Sequence, residues 1–143
     1  MISPAGFERL LRARVVHVED GETLDVVTDP GLPEAALRRC RLSGVAVPGY
    51  DDPDPAMREV AGHARDFVEV LVLGKEVAVR CTGEHDADER VLAVIHWRDA
   101  EGTWSTLNAD LVENGLAAWL VDGEQPGTEP AESSGRGVDG RPE

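Results

Sequence analysis

The chain has 143 residues and a formal charge of −14, from 14 Lys and Arg against 28 Asp and Glu. That length suits one domain with or without a tail, and with 41% hydrophobic but only 4% aromatic residues its core must be built from Val, Leu and Ala. Its mean field opposes non-specific polyanion binding, which relies on positive charge and counterion release.

An alternating run from Ala13 to Val18 comes first, then Asp20-Gly21, then a second run from Thr23 to Val27. Asp-Gly between β-rich runs predicts a hairpin, because Gly tolerates positive φ. Val16, Val18, Leu24 and Val26 are expected on its buried face. After a Gly/Pro loop (Asp29 to Glu34), Leu37 to Val47 reads as a third strand with Cys40 and Leu42 sharing a face. An acidic turn, Tyr50 to Pro55, leads to the clearest helix, with Asp54 as cap and Pro55 in its first turn. Met57, Val60, Ala61, Ala64, Phe67, Val68 and Leu71 recur at spacings of three and four, and Gly74 ends the run. Glu76 to Thr82 reads as a fourth strand with Val77, Val79 and Cys81 inward, and Val91 to Trp97 as a fifth. Asn108 to Asn114 forms a short helix burying Leu111 and Val112, stopped by Gly115, and Leu116 to Val121 closes the domain.

Residues 123–143 hold five Gly, three Pro and two Ser without apolar periodicity, the pattern of a disordered acidic tail. Four Glu and one Asp against two Arg in that tail leave −11 of the charge on residues 1–122, the expected folded domain. Arg9, Arg12 and Arg14 interrupt the N-terminus, and nothing later approaches the roughly 20 apolar residues of a membrane span, so a cytoplasmic location is expected. Arg9, Arg12, Arg14, Arg38, Arg39 and Arg41 form the basic cluster, read as scattered solubilising charge among acids or as a local positive patch. Cys40 and Cys81 are too few for a disulfide framework or a zinc site. Both read as small core residues, with a bridge between neighbouring strands as the alternative. His17, His63, His85 and His96 sit on four separate elements, with no pair at ligand spacing. Three strands, a helix, two strands and a helix make an α+β, mostly β fold, and match a five-stranded barrel of the oligonucleotide/oligosaccharide-binding (OB) type.

Four blocks in this order resemble the staphylococcal nuclease-like (thermonuclease) domains: VVHVEDGETL ending at Leu24, RLSGVAVP from Arg41 to Pro48, DADERVLAVI from Asp86 to Ile95, and LNADLVENGLA from Leu107 to Ala117. The resemblance spans about Ala13 to Trp119. It implies Ca²⁺-dependent hydrolysis of DNA and RNA, in which carboxylates hold a hard cation, another takes a proton from water, and two Arg stabilise the phosphorane. The two Arg fall on Arg41 and Arg90. The first metal-binding Asp falls on Glu22, one methylene longer, and a metal-binding backbone carbonyl on Val47. The second metal-binding Asp falls on Ala46 and the catalytic Glu on Gly49, so both carboxylates are lost. Asp51, Asp52 and Asp54 are substitutes that a rearranged loop would supply, or else a solvated turn and helix cap. Without a metal, Arg41 and Arg90 read equally as structural ion-pair partners, including to Glu22 itself, and Glu22 as a hairpin residue.

The first functional expectation is therefore a nuclease-like domain with a degenerate site. It serves as a binding or interaction module for a protein, a nucleotide or a short nucleic acid, with no cofactor or weakly bound Ca²⁺. The second is an active Ca²⁺-dependent phosphodiesterase with a shifted carboxylate set. The third is an acidic nucleic-acid mimic that binds a basic partner.

Overall fold

A computed structural model of the chain describes residues 9–33 and 35–120, with Arg9 described in its backbone only. Residues 1–8 and the expected tail, 123–143, lie outside the described residues. Ten elements follow in order: β1 (Arg9–Val18), β2 (Thr23–Thr28), β3 (Ala36–Leu42), β4 (Val45–Ala46), α1 (Pro55–Val72), β5 (Glu76–His85), β6 (Val91–Arg98), β7 (Trp104–Thr106), α2 (Leu107–Glu113) and β8 (Ala118–Trp119).

The long strands run β3-β2-β1-β5-β6, antiparallel throughout, and a parallel pairing of β3 with β6 closes the ring. This is the closed, mixed five-stranded barrel with two helices that the element order predicts, an α+β barrel of OB type. Closure removes the sheet edges that a five-stranded open sheet would expose. Three short strands complete it: β7 extends β6 as a hairpin, while β4 pairs with β8 outside the barrel.

Inside lie Val15, Val18, Leu24, Val26, Leu42, Val79 and Ile95, all essentially inaccessible, with Ala64, Val68 and Val72 of α1 and Leu107 and Leu111 of α2 packed against them. The core is thus aliphatic, as the composition demands. Asp54 caps α1 by accepting the Ala56 N–H at 2.9 Å, with Pro55 in the first turn. Gly74, at φ +80°, ends it, and its N–H donates to the Val15 carbonyl at 2.8 Å, fastening the helix end to β1.

Several sequence expectations are corrected. Val16 is 45% exposed and Val15 takes its buried place, because a bulge between Val15 and His17 shifts the parity of β1. The expected third strand breaks at Ser43-Gly44, with Gly44 at φ +81°, into β3 and β4. Cys81 is only partly buried, and no disulfide joins it to the buried Cys40. The short helix begins one residue early, at Leu107, and Val112 is partly rather than fully buried. The closing segment is a two-residue strand ending at Trp119. Gly21 does not have a positive φ; the close approach of α1 is what requires it.

The predicted basic cluster is divided among acids. Arg12 donates to both Glu76 carboxylate oxygens (3.2 and 2.9 Å), and Arg39 donates to both oxygens of Asp25 (2.8 and 3.0 Å). Among the described residues, no helix is long and apolar enough to cross a membrane.

Candidate nucleotide-phosphate site

The turn between β1 and β2 is organised by Asp20, whose Oδ1 accepts the backbone N–H groups of Glu22 (2.9 Å) and Thr23 (2.8 Å). Such an Asx turn fixes the backbone locally. Gly21 lies against the middle of α1: a Cβ there would stand 2.6 Å from the Ala64 Cβ and 2.9 Å from the Val47 Cγ1. The turn is therefore seated between α1 and the strand β4 segment. The Glu22 carbonyl accepts the Leu42 N–H at 2.9 Å, tying the hairpin to the end of β3.

The barrel's closing seam supplies both arginines. Arg41 lies in β3, opposite Thr23 on one side and Leu92 on the other. Arg90 immediately precedes β6, whose first residue, Val91, pairs with Cys40. A parallel seam between β3 and β6 thus places two residues 49 apart in sequence at one end of the barrel, beside Glu22.

Glu22 and Arg41 are ion-paired at 3.7 Å, with about a fifth and a quarter of their side chains exposed. Burial pushes the Glu22 carboxyl above its ordinary value. Arg41, a backbone hydrogen bond from Val47 and Arg90 oppose that rise, while Asp20 adds to it. Four of the residues singled out from sequence, Glu22, Arg41, Val47 and Arg90, therefore converge. Arg41 keeps one unspent donor: its Nε is buried with no hydrogen-bond acceptor among the described residues. A buried guanidinium N–H without an acceptor costs free energy.

Arg90 is held by partners that sequence reasoning did not assign. Asp86 Oδ2 accepts its Nε at 2.7 Å, Asp86 Oδ1 accepts its backbone N–H at 2.9 Å, and Thr23 Oγ1 accepts Nη1 at 2.6 Å. Burial raises the Asp86 carboxyl, but the hydrogen bonds and charge of Arg90 outweigh it and leave Asp86 below its ordinary value. Asp86 had a readable signal, an Asp four residues before Arg90 in a loop. Thr23, 67 residues from Arg90, had none.

The remaining candidates are distributed unevenly. Ala46 sits in β4 opposite Ala118, presenting a methyl group. Gly49 is exposed, and the nearest atom to a Cβ built there is Asp51 Oδ1, at 2.9 Å. Asp52 accepts the Asp54 N–H through Oδ1, and its carbonyl accepts Arg58 Nη1 at 2.7 Å. Asp54 is the helix cap. Asp52 and Asp54 are thus engaged with the α1 start, and Asp51 alone lies by the Gly49 position. Among the described residues, no group of three or more His, Cys, Asp or Glu side chains is placed to hold a metal ion.

The model for the family described as staphylococcal nuclease homologue matches residues 39–133, two thirds of the chain. No curated protein matches the sequence.

Proposed function

The chain belongs to the staphylococcal nuclease homologue family, and from that premise we propose that it is a non-catalytic member, a binding module that takes a nucleotide or a short nucleic acid by a phosphate on Arg41 and Arg90. The observation that carries this reading is the convergence of two guanidinium groups around Glu22: Arg41, ion-paired to it, and Arg90, fixed by Asp86 and Thr23. Two preorganised guanidinium groups suit a tetrahedral oxyanion, whose oxygens accept forked N–H pairs.

Resident Ca²⁺ does not fit this donor set. A hard cation of that size takes about six to eight oxygen ligands, usually with several carboxylates among them. Here one carboxylate, Glu22, is ion-paired to Arg41, Ala46 offers no oxygen from its side chain, and Val47 meets Glu22 through its N–H. The Gly49 position carries no base. Loss of a general base alone commonly costs about 10²–10⁴ in rate. Chemistry at this end of the barrel then reduces to recognition: Arg41 and Arg90 bind and orient a phosphate, and Glu22 balances the charge of Arg41 when no ligand is present.

One observation favours a second reading, an active metal-dependent phosphodiesterase. Asp51 Oδ1 already occupies the space beside the Gly49 Cβ position, so a modest loop movement brings a carboxylate to where the family's base begins. The acidic nucleic-acid mimic has no comparable support.

The two readings separate in one experiment. Single-stranded DNA and RNA are incubated with the protein in Ca²⁺, Mg²⁺, Mn²⁺ or EDTA, and calorimetry measures binding of a nucleoside diphosphate in EDTA. No cleavage is expected, with nucleotide binding that weakens about tenfold or more in Arg41→Ala and in Arg90→Ala, as for loss of a charge-assisted hydrogen bond. Metal-dependent cleavage that disappears in Arg90→Ala or Asp51→Asn would sink the binding-module reading. Ala46→Asp with Gly49→Glu is expected to raise Ca²⁺ affinity, since the group nearest a Cβ at Gly49 is the movable end of the Asp51 side chain.

A further inference from the structure

At the other end of β6 lies an open cleft of about 690 Å³, bordered by β1, β5 and β7. The eight residues of β6 separate it from Arg90, roughly 27 Å at the rise of an antiparallel strand. Its volume is in the range of small-ligand sites, roughly 300–1,000 Å³.

The strand register explains both the hollow and its chemistry. Ala78 lies on the cleft, opposite Arg12 of β1 on one side and His96 of β6 on the other, and its methyl leaves the space between longer neighbours unfilled. One step along, Arg14 faces Glu76 across β1 and β5, and Arg98 faces Trp104 across β6 and β7. The Arg98 guanidinium lies over the Trp104 ring, 5.2 Å from its centre, and Trp104 as a residue is 54% exposed. Arg12, Lys75 and Arg98 line the cleft against Glu76 and Asp99, a positive balance on a chain of charge −14. Arg12 and Arg14 both reach Glu76 (2.9 and 3.5 Å), so that carboxylate is shared between cations, while Asp99 Oδ1 is engaged by the N–H groups of Glu101 and Thr103.

We propose that this cleft is a second binding site, for a nucleotide unit of single-stranded nucleic acid, its base stacked on Trp104 and its phosphate on Lys75 and Arg12. An exposed indole beside cations is the combination that holds single strands without reading their sequence: the ring takes any base face, and the cations take the backbone. A duplex keeps its bases stacked internally and has none to offer Trp104. The net charge of the chain opposes long polyanions, so the site favours a short strand whose affinity comes largely from stacking. This site is independent of the Arg41–Arg90 site: neither arginine lines the cleft.

The test uses fluorescence anisotropy with a short labelled oligo-dT in EDTA at low salt, in the full chain and in the same chain carrying Arg41→Ala and Arg90→Ala. Binding is expected in both hosts; in the host lacking Arg41 and Arg90 it is expected to fall about tenfold in Trp104→Ala and to be largely retained in Trp104→Phe. Lys75→Ala is expected to reduce the slope of log affinity on log salt by about 0.7, the value for one phosphate contact on a single strand. Duplex DNA of the same sequence and inorganic phosphate should bind at least tenfold more weakly. In the host carrying Arg41→Ala and Arg90→Ala, binding that survives Trp104→Ala unweakened, or that is already absent with Trp104 intact, would overturn the second site while leaving the first intact. Absence of oligo-dT binding in every host would overturn it too. Trp104 is half exposed on a surface hairpin, so circular dichroism should show each Trp104 variant folded.

Discussion

Gly21 shows how a single missing side chain positions the site. The turn it belongs to has an ordinary backbone for an L-residue, so an Ala there is excluded by space alone: its methyl would sit 2.6 Å from Ala64 Cβ. Gly21→Ala is therefore expected to cost about 1–3 kcal/mol, as overpacking does, with Glu22 displaced from Arg41 as the turn lifts. Ala64→Gly in the same chain removes the obstructing methyl and should return part of that loss, beyond its own helix cost of about 1 kcal/mol. Urea unfolding of the two single variants and the double variant measures the coupling; additive losses would mean that the two residues do not meet. The same scale shows what was legible of the site. Glu22, Arg41, Val47 and Arg90 could be picked out because each rides on a short block with a fixed place relative to a strand. Thr23, which helps aim Arg90, could not be assigned that role, because its hydrogen bond depends on side-chain directions set by the closed barrel, whereas the local Asp86 pairing was within reach of the sequence. The Arg41 Nε is invisible in sequence for the same reason: lack of an acceptor is a property of the packed site.

At the scale of elements, the five barrel strands and both helices were readable because alternation and the three-four stripe report directly on which face is buried. Parity failed where the backbone departs from regular geometry. The bulge after Val15 inverts the expected faces of Val15 and Val16, and the Ser43-Gly44 break turns one expected strand into two. The bulge leaves no mark in the residue types, whereas Ser43-Gly44 is a dipeptide that marks turns, a signal the strand reading passed over. Besides the Ser43 N–H donated to the Ala93 carbonyl of β6 (2.8 Å), that second break is held by a residue of α2. Asn108, 2% exposed, donates Nδ2 to the carbonyls of Ser43 (2.8 Å) and Ala93 (3.2 Å) and accepts the Ile95 N–H on Oδ1 (3.1 Å). A side-chain amide offers two N–H donors and an acceptor in one planar group, which gives a physical reason for Asn at this place in the LNADLVENGLA block. Asn108→Ala would orphan the Ile95 N–H and weaken the hold on Ser43, at about 1–3 kcal/mol for each buried group left without a partner. Asn108→Asp should be at least as costly, since it keeps the acceptor but sets a carboxylate against two carbonyls. Thermal and urea unfolding of the two variants check this, and an Asn108→Asp protein as stable as the parent would contradict it.

For the whole molecule, the −14 charge and a few displaced carboxyl groups together predict the dependence of stability on pH. Asp25, lowered chiefly by its hydrogen bonds with Arg39, and Asp86, lowered by Arg90 against the effect of burial, titrate below the ordinary Asp value of 3.8. Their contributions are complete above that value and disappear as the pH falls through their folded values. Glu22 and Asp110 behave oppositely. Burial raises both, against Arg41 for Glu22 and against the Trp97 hydrogen bond for Asp110, so folding penalises their charged forms. That penalty is present at neutral pH and is relieved as the pH drops through their folded values toward 4.5 and 3.8. Acidification also reduces the net negative charge and with it the self-repulsion of the compact state. His96 acts in the opposite sense: burial, helped by Arg80, holds it below its ordinary 6.5, so its contribution falls as the pH drops through that value. The melting temperature is accordingly expected to rise on acidification only nearer the folded values of Glu22 and Asp110, and to fall below about pH 3.8. Salt separates the two sources of the rise. At 0.5 M salt, where screening lengths shrink to about 4 Å, the part due to overall repulsion should vanish while the part due to buried Glu22 and Asp110 persists. Glu22→Gln is expected to flatten the remaining rise, and Asp86→Asn to lessen the acid-side fall. Differential scanning calorimetry across this range checks each slope, and a high-salt pH dependence left unchanged by Glu22→Gln would contradict the assignment of Glu22 as a charge buried at a cost.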